Sequence, residues 1–146
     1  MPTVKIYSKG GNIPAYETEG SSGMDLRAFI DEPILLRPME RTLVPTGIYL
    51  EIPNGYEGQV RARSGLSVKH GITLVNGVGT VDSDYRGELK IPVINLSNEE
   101  FKISSGDRIA QIVFAEYKQV KLIKVETKFD LEESGRGEGG FGHTGI

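Results

Sequence analysis

Apolar residues in this chain recur in short runs or in alternation with polar ones, and almost nowhere at helical spacing. This pattern predicts an all-β fold, a sandwich, jelly roll or small barrel of short strands rather than parallel βαβ units. Only residues 64–69 have room for a helical turn, with Ser64 as the expected N-cap. Pro45 places one long strand at a sheet edge or splits it. The predicted strands are 4–7, 24–30, 34–36, 41–52, 56–63, 72–75, 89–96, 101–103, 108–117 and 120–125.

The stretch 75–89 lies between two apolar runs and predicts a hairpin whose tip carries three glycines and two aspartates. Glycine allows close approach of the backbone, so such a tip can hold a flat molecule against main-chain N–H and C=O groups. Asn76 adds an amide that donates and accepts, and Tyr85 adds a flat face with a polar end. The Asp-Ser-Asp sequence before Arg86 is also ordinary turn chemistry, so the hairpin alone leaves both interpretations open.

The composition changes at Glu132, and six of the last twelve residues are glycine. Such a segment cannot build an apolar core, so we expect one domain over 1–131 and a mobile tail over 132–146. Glycine-rich backbone beside Arg136 can wrap a phosphate chain, and Phe141 can close over a base. A disordered tail without a binding role is the alternative.

The composition excludes several classes of partner and of catalytic group. A net charge of −3 argues against a stable nucleic-acid partner bound through a basic surface. The chain has no cysteine and two histidines, which excludes thiolate catalysis and disfavours a Ser-His-Asp triad. Carboxylate chemistry remains, with an aspartate activating a water, arginines neutralising phosphates, and a divalent cation. No signal or membrane span is recognisable, so we expect a cytoplasmic protein with no membrane partner.

Five ordered motifs resemble those of the trimeric dUTP pyrophosphatases (dUTPases). They are 22–26 (SGMDL), 63–66 (RSGL), 79–88 (GTVDSDYRGE), 106–111 (GDRIAQ) and 136–145 (RGEGGFGHTG). The match spans nearly the whole chain, and the third and fifth motifs are specific. The resemblance implies a distorted β jelly roll assembled as a homotrimer, with sites at subunit boundaries that are closed by a tail. It also implies hydrolysis of dUTP to dUMP and pyrophosphate, which limits uracil incorporation into DNA and supplies dUMP for thymidylate synthesis.

The resemblance also implies a role for each matching residue. Asp82 would be the general base for the water that attacks the α-phosphorus, and Asp25 would hold Mg²⁺ through water. Tyr85 would lie under the deoxyribose and exclude a 2′-hydroxyl. His143 stands where other members have serine, a departure that we do not expect to abolish activity. The implied substrate-binding residues are Arg63, Ser64, Gly65, Asn76, Gly79, Thr80, Val81, Tyr85, Lys90, Gln111, Arg136, Phe141, Gly142, His143 and Thr144.

Two other functions stay open. A deoxycytidine triphosphate deaminase, or a bifunctional version, shares the fold and a similar second motif, although Gly65 and Leu66 differ from that group. A catalytically silent nucleotide sensor on the same scaffold is the other alternative. The intact Asp82 speaks against a sensor, because a pure binder need not retain a water-activating carboxylate.

Overall fold

The computed structural model describes residues 1–142, in which strands dominate and both helices are short. Neither helix in this part of the chain is long and apolar enough to cross a membrane. The strands are β1 Lys5–Ser8, β2 Gly23–Arg27, β3 Ile34–Leu36, β4 Arg41–Pro45, β5 Ile48–Glu51, β6 Tyr56–Arg61, β7 Ile72–Leu74, β8 Gly79–Val81, β9 Lys90–Asn95, β10 Phe101–Ile103 and β11 Arg108–Glu116. The α-helix α1 is Ser64–His70, and a 3₁₀ helix is Lys128–Asp130.

The strands form two main sheets and two smaller pairs, and every pairing is antiparallel. The four-stranded sheet has the order β2-β11-β6-β8, and the three-stranded sheet has the order β4-β9-β7. Strand β1 pairs with β5, and β10 pairs with β3. Buried aliphatic side chains from both main sheets join one core, as expected for a jelly-roll type of fold. The all-β prediction is confirmed.

Strand 41–52 is split after Pro45, which is one of the two outcomes expected at this proline, and Gly47 in the break adopts a φ of +69° that a strand does not allow. Two other details of the sequence prediction are wrong. Residues 120–125 form no strand in the structure, and they are exposed. The N-cap of α1 is Arg63 in extended conformation without a side-chain hydrogen bond, and Ser64 is the first helical residue.

Asn95 is a fully buried polar residue at the end of β9. Its amide nitrogen donates to the carbonyls of Leu36 at 2.9 Å and Glu99 at 2.7 Å. Its side-chain oxygen accepts from the backbone N–H of Ser97 at 2.9 Å and from the Ser97 hydroxyl at 2.8 Å. One fully buried side chain therefore connects the Leu36 carbonyl of β3 to the 95–99 turn through four hydrogen bonds.

Asn95→Ala should lower the free energy of unfolding by about 2–4 kcal/mol, because it removes all four hydrogen bonds of a fully buried side chain. Ser97→Ala is the matched control and should lower it by only about 1 kcal/mol, since the other Asn95 bonds persist. Urea unfolding followed by circular dichroism measures both changes. Equal effects of the two substitutions would contradict the central role of Asn95.

Candidate active site

The hairpin predicted at 75–89 is formed by β7 and β9, which pair in antiparallel register. Within it, β8 leaves this pairing and joins β6 in the four-stranded sheet. After β8 the chain turns back, and the Tyr85 N–H donates to the Asp82 carbonyl at 3.1 Å. The hairpin therefore belongs to both sheets at once, which restricts the movement of its tip.

A cavity of about 600 Å³ lies against the hairpin, a size that suits a small-molecule ligand. Apolar side chains, the Tyr49 ring and the Glu88 carboxylate form part of its wall. The structure thus brings together all the hairpin residues that were expected to bind substrate or act in catalysis. They are Asn76, Gly79, Thr80, Val81, Asp82, Tyr85 and Lys90.

The ring of Tyr85 lies directly against Gly87. A Cβ atom added at Gly87 would be 2.5 Å from Cζ of the ring, so any side chain at that position would displace the ring. The Tyr85 hydroxyl donates to the main-chain carbonyl of Glu88 at 3.0 Å. The flat face of the ring is therefore fixed by a glycine contact on one side and a hydrogen bond at its end.

Asp82 lies where this cavity meets a neighbouring cavity of about 730 Å³, and its side chain is exposed. The turn that carries it is held by Arg86, whose guanidinium donates to the carbonyls of Ser83 at 2.7 Å and Tyr85 at 3.0 Å. The carboxylate is thus held on a braced turn while it remains accessible to water.

A second polar cluster lies around Asp25 of β2, the edge strand of the four-stranded sheet that is opposite to β8. Its carboxylate accepts a hydrogen bond from Nε of Arg63 at 2.9 Å and another from Nη1 of Arg108 at 3.3 Å. Arg63 also donates to the main-chain carbonyl of Arg108 at 3.2 Å. The Ser64 and Gly65 residues that follow are exposed at the start of α1. Two guanidinium groups therefore share one carboxylate at this edge of the sheet.

Gln111 extends the Asp25 cluster from the neighbouring strand β11. It pairs with Asp25 across the sheet, and its side-chain nitrogen donates to the Ala62 carbonyl at 3.0 Å. Its side-chain oxygen lies 2.5 Å from where a Cβ of Gly23 would stand, so this position accepts only glycine without displacing Gln111.

The hairpin residues around Asp82 and the Asp25 cluster lie apart from each other within one chain. Gln111 lies opposite Arg61 on β6, whereas Val81, which precedes Asp82, lies opposite Gly58 on the same strand. Three residues of strand and two strand spacings place Val81 roughly 14 Å from Gln111. The Asp82 carboxylate and the Asp25 cluster of the same chain therefore do not converge on one small reacting group.

The described part of the tail lies apart from both groups. Phe141 is fully exposed with a φ of +49°, and Arg136 donates to the Gly139 carbonyl at 2.6 Å within the tail itself. None of the described tail residues lines the hairpin cavity. Gly142 is the last described residue, and the predicted site residues His143 and Thr144 lie outside the described part of the chain.

Comparison with known proteins gives a consistent result. The sequence model of the dUTPase family matches residues 9–145. The chain belongs to the dUTPase family. The deoxyuridine 5′-triphosphate nucleotidohydrolase of Finegoldia magna is 62% identical over 143 residues, which cover 97% of this chain and 98% of the relative. That of Fusobacterium nucleatum is 56% identical, with 96% and 94% covered.

A solved structure supports the same dUTPase relationship. The dUTPase of Staphylococcus bacteriophage 80alpha, solved with dUPNHPP, superposes with a TM-score of 0.84 at 28% identity and covers 99% of each chain. The family expected from the five motifs is thus confirmed, and with it the assignment of the chain as an enzyme of the dUTPase type.

Two residues of the site were not predicted from the dUTPase motifs. Arg108 reaches Asp25 because the register of β11 shifts between Arg108 and Ala110, and an irregularity of this kind leaves no mark in the alternation pattern. Glu88 lies within the third motif, but its contacts with distant parts of the chain are visible only in the fold. The presence of Arg108 in the GDRIAQ motif was the one signal that could have indicated its role.

Gly87→Ala should lower kcat/KM for dUTP, the substrate named for the relatives, by about a hundredfold, because the added methyl group displaces the Tyr85 ring. Gly20→Ala is the control, since nothing lies within 4 Å of a Cβ at Gly20 and its φ is not positive. Steady-state kinetics with both variants measures the difference. Parent-like kinetics of Gly87→Ala would show that the ring position is unimportant.

Proposed function

We propose that this chain hydrolyses dUTP to dUMP and pyrophosphate, which limits uracil in DNA and supplies dUMP for thymidylate synthesis. The observation that carries the proposal is the hairpin cavity, which gathers an amide, main-chain groups, an aromatic ring and an accessible carboxylate on one braced turn. Membership of the dUTPase family supports the reaction. A deaminase or a silent sensor would not need this combination.

The hairpin would recognise the base through Asn76 and the main chain of residues 79–81. Uracil has hydrogen-bond acceptors where cytosine has donors, and the reverse. A rigid site that complements uracil therefore leaves buried polar groups unpaired with cytosine, which can favour uracil by a factor of about 10⁴. Thymine differs only by a methyl group, which a hydrogen-bond pattern does not detect, so its exclusion would be steric and would depend on the glycine-containing hairpin that lines the cavity. Tyr85 would lie under the deoxyribose and leave no room for a 2′-hydroxyl.

The hydrolytic step would be attack of water on the α-phosphorus. Asp82 would accept a proton from that water and orient it, which requires the accessible carboxylate described above. The bond from the α-phosphorus to the bridging oxygen would break, and pyrophosphate would leave. Most of the rate enhancement would come from alignment of the water with the α-phosphorus and from neutralisation of the negative charge on the phosphates.

The Asp25 cluster would hold the triphosphate. Arg63, Ser64, Gly65 and Gln111 supply positive charge and hydrogen bonds, and Lys90 adds a further cation from the hairpin. Among residues 1–142, no group of three or more His, Cys, Asp or Glu side chains could hold a metal ion directly. Asp25 nevertheless fits water-mediated Mg²⁺, because each of its oxygens accepts one guanidinium bond and retains a lone pair. The ion would neutralise phosphate charge.

The tail would close the site over the bound nucleotide. Phe141 would stack on the uracil, and Arg136, Gly142, His143 and Thr144 would close over the β- and γ-phosphates. The full exposure of the Phe141 ring leaves it available for such a contact. This closure would also exclude bulk water from the phosphates.

The working form would be a homotrimer in which different chains contribute to each site. The separation of Asp82 from the Asp25 cluster within one chain supports this arrangement, because one nucleotide must contact both. The segment 117–127 supports it further: Val120, Leu122 and Ile123 are between 76% and 89% exposed. An alternating apolar segment left exposed in the single chain is typical of a surface covered by a neighbouring subunit.

Product analysis tests the reaction. The protein should release pyrophosphate from dUTP with Mg²⁺ present, and little from dCTP, dTTP or UTP. Asp82→Asn should bind dUTP but lose at least about a thousandfold in kcat, because the general base is removed. Ammonia released from dCTP would instead support the deaminase, and folded protein that is silent with all four nucleotides would support a sensor. Near-parental turnover by Asp82→Asn would exclude Asp82 as the base.

Mixed trimers test the shared site. Asp82→Asn and Gln111→Ala chains should each have low activity alone, because each lacks one part of the site. If each site takes its hairpin and its phosphate cluster from different chains, random co-assembly should restore about a quarter of the sites. Activity of the refolded mixture no higher than that of the separate variants would place both parts in one chain.

A further inference from the structure

The end of the functional hairpin is attached to a distant turn of the scaffold. The main-chain N–H and the hydroxyl of Thr46 both donate to the Leu89 carbonyl, at 3.2 Å and 2.7 Å. The Leu89 N–H donates to the carbonyl of Ile48 at 2.8 Å. All three residues are buried, so these bonds are shielded from water. The turn between β4 and β5 thus fixes the point where the hairpin enters β9.

Glu88 extends this attachment through its side chain, which is only 14% exposed. Its carboxylate accepts the N–H of Gly47 at 2.9 Å and lies 3.7 Å from Nζ of Lys9. Gly47 is buried and has a φ of +69°, so its N–H direction is set by an unusual turn and has no alternative partner in water. The Tyr49 hydroxyl and, to a smaller extent, the Glu88 carboxylate raise the pKa of Lys9, which keeps this amine charged.

The main chain of the same residue holds Tyr85. The Glu88 carbonyl accepts the Tyr85 hydroxyl at 3.0 Å, and the ring lies on Gly87, the residue before it. Both Glu88 and Tyr85 line the hairpin cavity. A displacement of Glu88 is therefore transmitted directly to both contacts that fix the aromatic ring.

We propose that Glu88 is a positioning residue for sugar selectivity. By accepting a hydrogen bond from the Gly47 N–H, Glu88 keeps the Tyr85 ring in the position that admits deoxyribose and excludes ribose. The inference rests on the proposed role of Tyr85 under the sugar. Exclusion of a hydroxyl by contact depends on the position of the wall, so loss of the anchor should relax selectivity more than it slows turnover of dUTP.

The test compares kcat and KM for dUTP and for UTP in Glu88→Ala, Glu88→Gln and the parent protein. In Glu88→Ala the ratio of kcat/KM for dUTP to that for UTP should fall about tenfold, because the wall can yield once the Gly47 N–H has no acceptor. Glu88→Gln should keep most of the ratio, since its amide oxygen can accept the same N–H. Glu32→Ala, an exposed glutamate in the loop before β3, is the matched control and should retain the parental ratio.

Tyr85→Phe provides a second test of the inference, and it leaves the Glu88 carboxylate intact. It removes the hydroxyl bond to the Glu88 carbonyl and should lower the same ratio, so the inference remains testable even if Glu88→Ala fails to fold. A parental ratio in folded Glu88→Ala would overturn the inference, as would equal losses in Glu88→Gln and Glu88→Ala. Failure of the parent protein to hydrolyse dUTP would instead refute the proposed function.

Discussion

The ladder between β8 and β6 is the interaction on which the site depends. It pairs residues 79–81 with 58–60 and so draws the tip of a hairpin from the three-stranded sheet into the four-stranded one. The approach is close, because a Cβ at Gly58 would be 3.3 Å from Val81 and one at Gly79 would be 3.3 Å from Val60. Backbone hydrogen bonds therefore set the shape of the cavity wall, which gives it the rigidity that selection between similar bases requires.

Much of the fold could be predicted from the alternation of apolar residues, because most strands bury one face in the core. The hairpin at 75–89 was predicted correctly for the same reason, since β7 and β9 are apolar and lie close together in sequence. Strand β8 was missed: three residues, the first of them a glycine, carry no periodic signal, and their partner β6 is distant along the chain. The contacts of Arg108 and Glu88 likewise depend on register and on non-local turns. Sequence motifs identify the functional residues, but they do not indicate which of these residues are in contact in the fold.

The segment 120–125 shows why a correct pattern can give a wrong strand. Its apolar residues resemble those of the strands that do form, yet a strand requires a partner, and residues 120–125 belong to none of the sheets in the described chain. In the proposed trimer a neighbouring chain would cover this apolar segment, and the separation of Asp82 from Gln111 would have the same origin. An apolar pattern that serves burial between chains looks the same in the sequence as one that serves pairing within a chain.

In the proposed mechanism the Asp25 cluster would allow a chain with a net charge of −3 to bind a triphosphate. One carboxylate orders two arginines, so their positive charge is held in one place. In the proposed mechanism Arg63 turns its remaining donors to phosphate while Asp25 faces the waters of Mg²⁺, and each charge gains a partner of opposite sign. Arginine suits this exchange because its planar fork can serve a carboxylate and a phosphate together. Local pairing of this kind makes a basic surface unnecessary, and it favours a compact anion chelated to a metal over an extended polyanion.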